Sequence, residues 1–588
     1  MPSAHQMFSS VWCIVFAVEH LPGEQVKPIA LAALDISQPS EVQIGTPKLM
    51  NVRFPPYSTG PQALIVTWGA CDLLGAHLVL GWRRPERIVD LKIEFQTLTN
   101  GDRRVTVGGL AGALLWFGCS TAGALTTDTQ THQMRQRLEA VSRLFGAMRS
   151  ILSTGHALLR GRYLAAVACI EAAGLPADEG LIEQLRQHWR SIHQRVIEIV
   201  DFESGTYRNG RFDQAAFRNW LCRRNIVWPT QQADRFDLSD DAFREMARVY
   251  PEVRPLKELR TTLTGFNPLA LTIGRDGRNR VPLRPFSSST GRNQPSAKAS
   301  LLGTAAWVRH LIKPDLGTGL AVIDWRHQEF GIAAALSDDT AMMAAYRSGD
   351  PYLALAVAAG AAPQGATKAT HPDVRDKFKA TALGLQYGME APRLARQTGI
   401  SEAEACQLIA AHKAKFATFW RWSERVEVEG LLRKELQSVF GWRIAVNGDA
   451  NPRALRNFPM QANGAEMLRL ACCLITEGGI KVCAVLHDAL VIEAPLAGLD
   501  AAVATVQAHM VEASAVVLDG FALETEATLI RAPDRWVDTR GQAVWSAVEA
   551  ALNETGPPVR QRKATCSTAP PRPILLSGLK EVDPDASY

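Results

Sequence analysis

Two apolar runs lying far apart in the chain each break off on an aspartate. Leu320-Ala-Val-Ile-Asp324-Trp is a strand-length apolar segment that stops at a carboxylate, and a helix is expected to follow from Glu329 to Leu336. Val482-Cys-Ala-Val-Leu-His487-Asp488-Ala-Leu-Val-Ile-Glu493 is a pair of such segments flanking His-Asp, the pattern of a tight β-hairpin. If the hairpin pairs beside the first strand, Asp324 and Asp488 project from neighbouring strand ends. Carboxylates so placed repel, and a pair of Mg²⁺ ions relieves the repulsion while stabilising the attacking and leaving oxygens of a phosphoryl transfer. Taken alone, an aspartate at a strand end is more often a turn former or a helix cap. The argument therefore depends on what lies between the two.

Between them runs Arg375-Asp-Lys-Phe-Lys379-Ala-Thr-Ala-Leu383-Gly-Leu-Gln-Tyr387-Gly388. Arg375, Lys379, Leu383 and Tyr387 recur every fourth residue, a turn of about 400° per step, so all share one slowly drifting helix face. That face offers two cations, an apolar side chain and an aromatic ring, matching the phosphates, sugar and base of a nucleoside triphosphate in order. A surface helix with solvated charges is the plainer reading of the segment in isolation.

At 588 residues the chain is too long for one ordinary core, and its 47% hydrophobic and 21% charged content is that of folded domains. A net charge of +5 is compatible with nucleic acid but decides little. The ten cysteines are scattered with no CxxC pair, which argues against a zinc site or a disulfide framework and for a reducing cytoplasm. The N-terminus lacks the basic leader of a signal peptide, although Trp12 to Val18 is apolar. Val107 to Leu125 is uncharged and about long enough to span a bilayer, but its glycines and missing basic flanks favour buried segments of an α/β domain. Short β-like runs (Ile14–Val18, Ile29–Leu34, Ala63–Thr67) and a helix near Arg135–Met148 occupy the first part. Residues 155 to 265 read as helical, Arg284 to Ser300 as loop, and 318 to 545 as alternating strands and helices. The Pro-, Ser- and Arg-rich tail has no periodicity and reads as disordered.

Together these segments resemble the motifs of family A DNA polymerases, the DNA polymerase I family. Asp324-Trp-Arg-His-Gln-Glu329 resembles motif A, an Asp-Tyr-Ser-Gln-Ile-Glu pattern. The Arg375–Gly388 segment resembles motif B, Arg-x3-Lys-x3-Phe-x3-Tyr-Gly, and His487-Asp488-Ala489 resembles the His-Asp-Glu of motif C. Thr290-Gly291-Arg292 is similar to a primer–template-contacting segment and Arg453-x3-Asn457-x3-Gln461 to a minor-groove-reading helix. Ile170-Glu-x2-Gly174-x-Pro176-x-Asp178 is similar to the approach to the thumb. The resemblance runs from about 160 to 540.

What it implies is a multidomain α/β and α+β chain: a right-hand polymerase of palm, fingers and thumb, preceded by a reduced ribonuclease-H-like exonuclease domain. The implied divisions are 8–148 exonuclease-like and inactive, 149–300 thumb and start of palm, 301–345 palm, 346–435 fingers, 436–545 palm, and 546–588 disordered tail. By the resemblance Asp324 and Asp488 bind two Mg²⁺ ions, helped by the backbone carbonyl of Trp325. Arg375 and Lys379 grip the dNTP, Lys379 protonates the leaving pyrophosphate, and Leu383 and Tyr387 complete the nucleotide face. Glu329 blocks the sugar 2′ position. Arg292, Gly388, Arg453, Asn457, Gln461 and His487 line primer–template DNA. The chain departs from the pattern at Arg326-His327, Leu383 and Ala489, and at Tyr352, which stands where a phosphate-binding His is often found. These departures bear on fidelity and sugar discrimination and remove no metal ligand.

Residues 14 to 145 resemble a DnaQ-like 3′–5′ exonuclease, in which an Asp-x-Glu on the first strand and two further aspartates hold two metals. Here Ala17 stands for the first ligand beside Glu19, Asp72 or Asp90 could supply a remaining carboxylate, and Gln133–Arg137 offers none in register for the last. The expected partners are primer–template DNA and dNTPs, with no membrane, for a cytoplasmic monomer encoded by a bacterium, phage or plasmid. Two rivals stand beside this reading: a single-subunit RNA polymerase, against which Glu329 argues, and a non-catalytic nucleic-acid-binding relic, against which the retained Asp324, Asp488, Arg375 and Lys379 argue.

Overall fold

The computed structural model describes residues 8–38, 42–45, 52–119, 130–232, 235–303 and 305–555. The N-terminal region is built on a five-stranded sheet: β1 (Ser10–Glu19), β2 (Lys27–Asp35), β3 (Gln43–Gly45), β4 (Ala63–Thr67) and β5 (Ile88–Asp90), in the order β3-β2-β1-β4-β5. β1 pairs antiparallel with β2 and parallel with β4, and β4 is parallel to β5. Every residue of β4 is buried, as expected of a strand flanked by parallel partners and covered on both faces. β1 alternates: Val11, Cys13 and Val15 face a core closed by Met134, Leu138, Val141 and Phe145 of the Gln130–Met148 helix. Ile14 and Phe16 face the opposite side, with Leu73 of the Ala70–Leu80 helix and Leu164 and Val167 of the Thr154–Ala173 helix.

The Thr154–Ala173 helix ties this region to the rest. It packs against β5 and the Ala70–Leu80 helix on one side, and against strand Lys481–Leu486 and helix Pro452–Glu477 on the other. A buried ion pair joins its Arg160 to Glu94 at 2.6 Å, with side chains 8% and 3% exposed, and Arg160 Nη1 also donates to the Phe440 carbonyl at 3.1 Å. Nearby, Asn100 Nδ2 donates to the carbonyls of Ser289 (2.7 Å) and Arg443 (2.8 Å), and Arg443 Nη2 donates to the Leu98 carbonyl at 2.7 Å. At the far end of β1 the β1–β2 loop abuts residues 273–280. Arg280 Nη1 donates to the Gly23 carbonyl at 3.0 Å, and a Cβ on Gly23 would stand 2.5 Å from the Gly274 nitrogen.

The second sheet has four strands: β6 (Thr318–Trp325), β7 (Lys481–Leu486), β8 (Ala489–Pro495) and β9 (Thr525–Arg531), in the order β7-β8-β6-β9 and antiparallel throughout. The two apolar runs of the sequence are thus neighbours. Ala321, Ile323 and Trp325 of β6 face one core with Val506 and Met510 of the Leu499–Val517 helix. Leu320 enters a second core with Trp307, Val491, Ile530 and Trp545, and Val322 packs against it. The row Leu320, Val322, Asp324 therefore starts in a core and runs out at the strand end. Residues 207–256 gather their own aromatic cluster around Phe217, Trp220, Trp228 and Phe243.

One expected boundary is corrected. Residues 542–555 form a helix, not the start of a disordered tail at 546. Val544, Val548, Ala551 and Leu552 recur at helical spacing and join Leu185 and Ile192 of the Glu179–Val200 helix in one core. Residues 556–588 lie outside the described residues. The uncharged stretch from Val107 is a short helix, Gly109–Trp116, followed by turn, and 120–125 is not described; among the described residues no helix is long and apolar enough to cross a membrane.

Candidate active site

Register sets the geometry. Asp324, near the end of β6, lies directly across from Ala489 on β8 and from Glu526 on β9. Leu486 pairs with Ala489, so His487 and Asp488 form the two-residue turn of the β7–β8 hairpin. His487 takes the left-handed conformation (φ 55°) that such a turn demands and that His tolerates better than most residues. Asp324 and Asp488 thus emerge from adjoining strands at one edge of the sheet, as the sequence reading expects.

Both carboxyls are pushed above the usual carboxylate range. For Asp324 burial is the main cause, followed by the charges of Asp488 and Glu526, while the Trp325 backbone and Lys379 act the other way. Burial is also the main cause for Asp488, eased by His487, Arg292 and Lys379. Asp324 Oδ1 is buried with no hydrogen-bond partner. A desolvated pair of carboxylates with an orphaned oxygen suits a divalent cation, whose charge removes the repulsion and whose coordination satisfies the oxygen.

The pair opens into a cavity of about 530 Å³ that Lys379, Arg375, Leu383, Glu329 and Glu526 also line. Helix Pro372–Gln386 brings Arg375, Lys379 and Leu383 to it together; Tyr387 caps the helix, and Gly388 leaves it at φ 76° with space limited by Arg453. The two cations differ. Arg375 is 7% exposed and ion-paired with Asp350, a carboxylate that also caps helix Pro351–Ala358 by accepting from the Tyr352 and Leu353 amides. Tyr352 is 2% exposed, its ring lying beneath Arg375 (5.5 Å to the centroid) and Lys379 (6.0 Å) and edge-on to His327. It is a platform that orients the cations. Glu329, in the first turn of helix Gln328–Ser337, lies close to the Tyr387 hydroxyl, as does Gln461. Burial, then the Glu329 charge, raises the Tyr387 pKa and keeps that hydroxyl protonated.

Arg453, Asn457 and Gln461 follow one another at four-residue spacing on helix Pro452–Glu477. Arg453 is ion-paired with Glu390, and Asn457 Oδ1 is buried without a partner. A second cavity, of about 670 Å³, is lined by His487, Arg292 and further arginines, among them Arg280, Arg309, Arg469 and Arg540. Sequence reasoning missed these four because they are scattered over 260 positions of chain and only the fold assembles them. Each is held by a carboxylate: Asp276, Asp538, Glu466 and Asp538 respectively. Asp350 and Glu526 were missed for the same reason.

The N-terminal carboxylates are otherwise engaged. Glu19 pairs with Lys27 at 2.9 Å, and Asp72 lies 3.1 Å from His20. Asp90 is buried and accepts from the amides of Gly69 (3.1 Å), Ala70 (2.8 Å) and Lys92 (2.9 Å). Asp90 thus caps helix Leu91–Thr99 and ties down the Gly69–Ala70 backbone. The cleft beside these residues, about 610 Å³, has Arg280, Arg284 and Ser287 as its opposite wall.

The sequence profile of DNA polymerase family A matches residues 299–529. A thermostable DNA polymerase I of Thermus caldophilus is 23% identical over 376 residues, 59% of this chain and 44% of that protein, so the chain spans less than half of that relative's length. DNA polymerase I of Aquifex aeolicus is 25% identical over 406 residues, 65% of this chain and 67% of that protein. Among solved structures, the POL domain of Pol1 from M. smegmatis, in complex with DNA primer-template and dNTP, superposes with a TM-score of 0.68 at 18% identity, covering 88% of this chain and 95% of that one. That likeness extends the shared fold well beyond residues 299–529.

Proposed function

Since residues 299–529 match the profile of DNA polymerase family A, we propose that the chain is a template-directed DNA polymerase adding dNTPs to a primer 3′ end in replication or repair. The observation that carries this is the convergence of Asp324 and Asp488 at adjoining strand ends, facing Lys379 across one cavity. Two Mg²⁺ ions held by Asp324, Asp488 and the Trp325 carbonyl would supply charge stabilisation at the attacking and leaving oxygens. The chain's own groups do the remainder. Lys379 lies where it can bind the triphosphate and hand a proton to the departing pyrophosphate. Arg375, fixed by Asp350, adds positive field from behind it. Glu329 and Tyr387 form one wall at the sugar, and Leu383 lies between them and the phosphates. Arg292, His487, Gly388, Arg453, Asn457 and Gln461 line the path of the primer–template. The palm, fingers and thumb divisions at 301–345 with 436–545, 346–435 and 149–300 belong to the same reading, as does a cytoplasmic monomer.

The N-terminal sheet fits a reduced exonuclease-like domain in strand order, with the chemistry gone. Ala17 offers no ligand, Glu19 is ion-paired with Lys27, and Asp90 accepts from three backbone amides.

Primer extension with Mg²⁺, comparing dNTPs with NTPs, tests the reading. Asp324→Ala or Asp488→Ala should abolish nucleotide addition and leave duplex binding largely intact, because duplex affinity comes chiefly from phosphate contacts. Normal extension by either variant would remove the site assignment.

A further inference from the structure

Helix Pro452–Glu477 carries a buried charge that the proposed reaction does not use. Arg469 is 5% exposed, so it is not placed to grip a ligand itself, and a guanidinium is costly to bury. Its partners offset that cost. Nε donates to Glu466 at 3.0 Å, one turn back, and Nη1 donates to the Gly291 carbonyl at 2.7 Å, while Cζ lies over the Phe286 ring, 4.6 Å from its centroid. Arg469 thus reaches from its own helix to the segment 286–292, far away in the chain.

That segment has a shape it would not hold unaided. Phe286 and Gly291 both take left-handed backbone conformations (φ 58° and 74°), a strained one for an aromatic residue. The indole of Trp442 packs on both: its ring centroid is 5.2 Å from that of Phe286, and a Cβ on Gly291 would stand 3.1 Å from it. Trp442 Nε1 donates to the Ser289 carbonyl at 2.9 Å. The Trp442 amide donates at 3.0 Å to the Ser438 hydroxyl, which donates in turn to Glu466 at 2.6 Å. A circuit therefore runs from Gly291 through Arg469, Glu466, Ser438 and Trp442 and back to Ser289, and its four linking residues are buried. Hydrogen bonds linked in this way inside a protein reinforce one another and fix one geometry.

What the circuit holds is the backbone on which Arg292 stands. Arg292 lines the cavity of about 670 Å³ together with His487. Its charge acts on the Asp488 carboxyl and on the Tyr387 hydroxyl, so a shift of the turn would displace a cation at the candidate active site. We infer that Arg469 is a positioning residue, which through the Gly291 carbonyl sets where Arg292 meets the primer–template. This rests on the polymerase reading of Arg292.

The test is a double-mutant cycle on the binding of a fluorescent primer–template to the full chain, read by anisotropy. Arg469→Met combined with Glu466→Gln removes the clamp without stranding a buried charge, and leaves Ser438 an acceptor. It should raise the Kd about tenfold, and should add less than about twofold once Arg292→Ala is present, as expected of residues that act as one unit. A role in core stability alone would raise the Kd by the same factor in both backgrounds; that result overturns the inference and leaves the polymerase reading standing. Binding like the parent's overturns it too. If the paired variant does not fold, Arg469→Lys enters the cycle in its place, since it keeps the charge but lacks the fork that reaches both Glu466 and Gly291. Should Arg292→Ala itself bind like the parent, the assignment of Arg292 to the primer–template falls, and the inference with it.

Discussion

Glu329 lies beside the Tyr387 hydroxyl and its charge acts on that group, so removing it has two effects. Glu329→Ala clears the volume where a ribose 2′-hydroxyl would lie and also frees the Tyr387 ring. We expect the NTP-to-dNTP ratio of kcat/KM to rise about 10- to 100-fold, an effect of about 1–3 kcal/mol, with a higher KM for dNTPs. Tyr387→Phe keeps the carboxylate's bulk and deletes only the hydroxyl, so its ratio should stay within about threefold of the parent while the KM rises. Steady-state incorporation on one template checks both. A flat ratio in Glu329→Ala would put the gate elsewhere, with Arg326-His327 as the first place to look.

At the level of elements, the buried Arg160–Glu94 pair joins the Thr154–Ala173 and Leu91–Thr99 helices. Arg160→Met alone strands a buried carboxylate and should cost about 3–5 kcal/mol, whereas adding Glu94→Leu should recover most of it. Urea unfolding of the two variants measures the difference; equal stabilities would mean that water already reaches Glu94. What could be read from the sequence follows a simple physical line. The strands ending at Asp324 and Asp488 and the helix face of Arg375, Lys379 and Leu383 were legible because apolar runs and four-residue spacing are local signals. Glu526 was not, because β9 is an edge strand without an apolar run and only its register gives the residue meaning. The pairing of Arg375 with Asp350, 25 residues away, likewise depends on how two helices meet. The C-terminal helix was overlooked because its Val and Leu stripe adjoins a Pro- and Ser-rich segment whose composition dominated the reading.

Across the whole molecule, the N-terminal region is tied to the rest through Arg160, Asn100 and Arg443, and the proposed function gives it the part of a support. We expect purified protein not to shorten a mismatched 3′ end in Mg²⁺; digestion that disappears in Glu19→Ala would show that a working site had been misread. Asn100→Ala tests the support directly. It removes the donor that holds both Ser289, next to Thr290-Gly291-Arg292, and Arg443. Primer–template affinity should fall a few-fold, on the scale of about 1 kcal/mol for lost hydrogen bonds, with dNTP KM unchanged. An unaltered affinity would separate the two regions functionally.

The contact between the β1–β2 loop and residues 273–280 makes this loss of chemistry hard to reverse. Ala17 packs with the core that Met134 and Leu138 close, so an aspartate restored there would not enter the cleft that Asp72 and Asp90 line, and Asp90 itself is held by three amides. The docking of the β1–β2 loop steadies the segment leading to Arg292. On the polymerase reading, a change made to this loop for the sake of error correction would therefore also bear on the segment that leads to the primer-contacting Arg292.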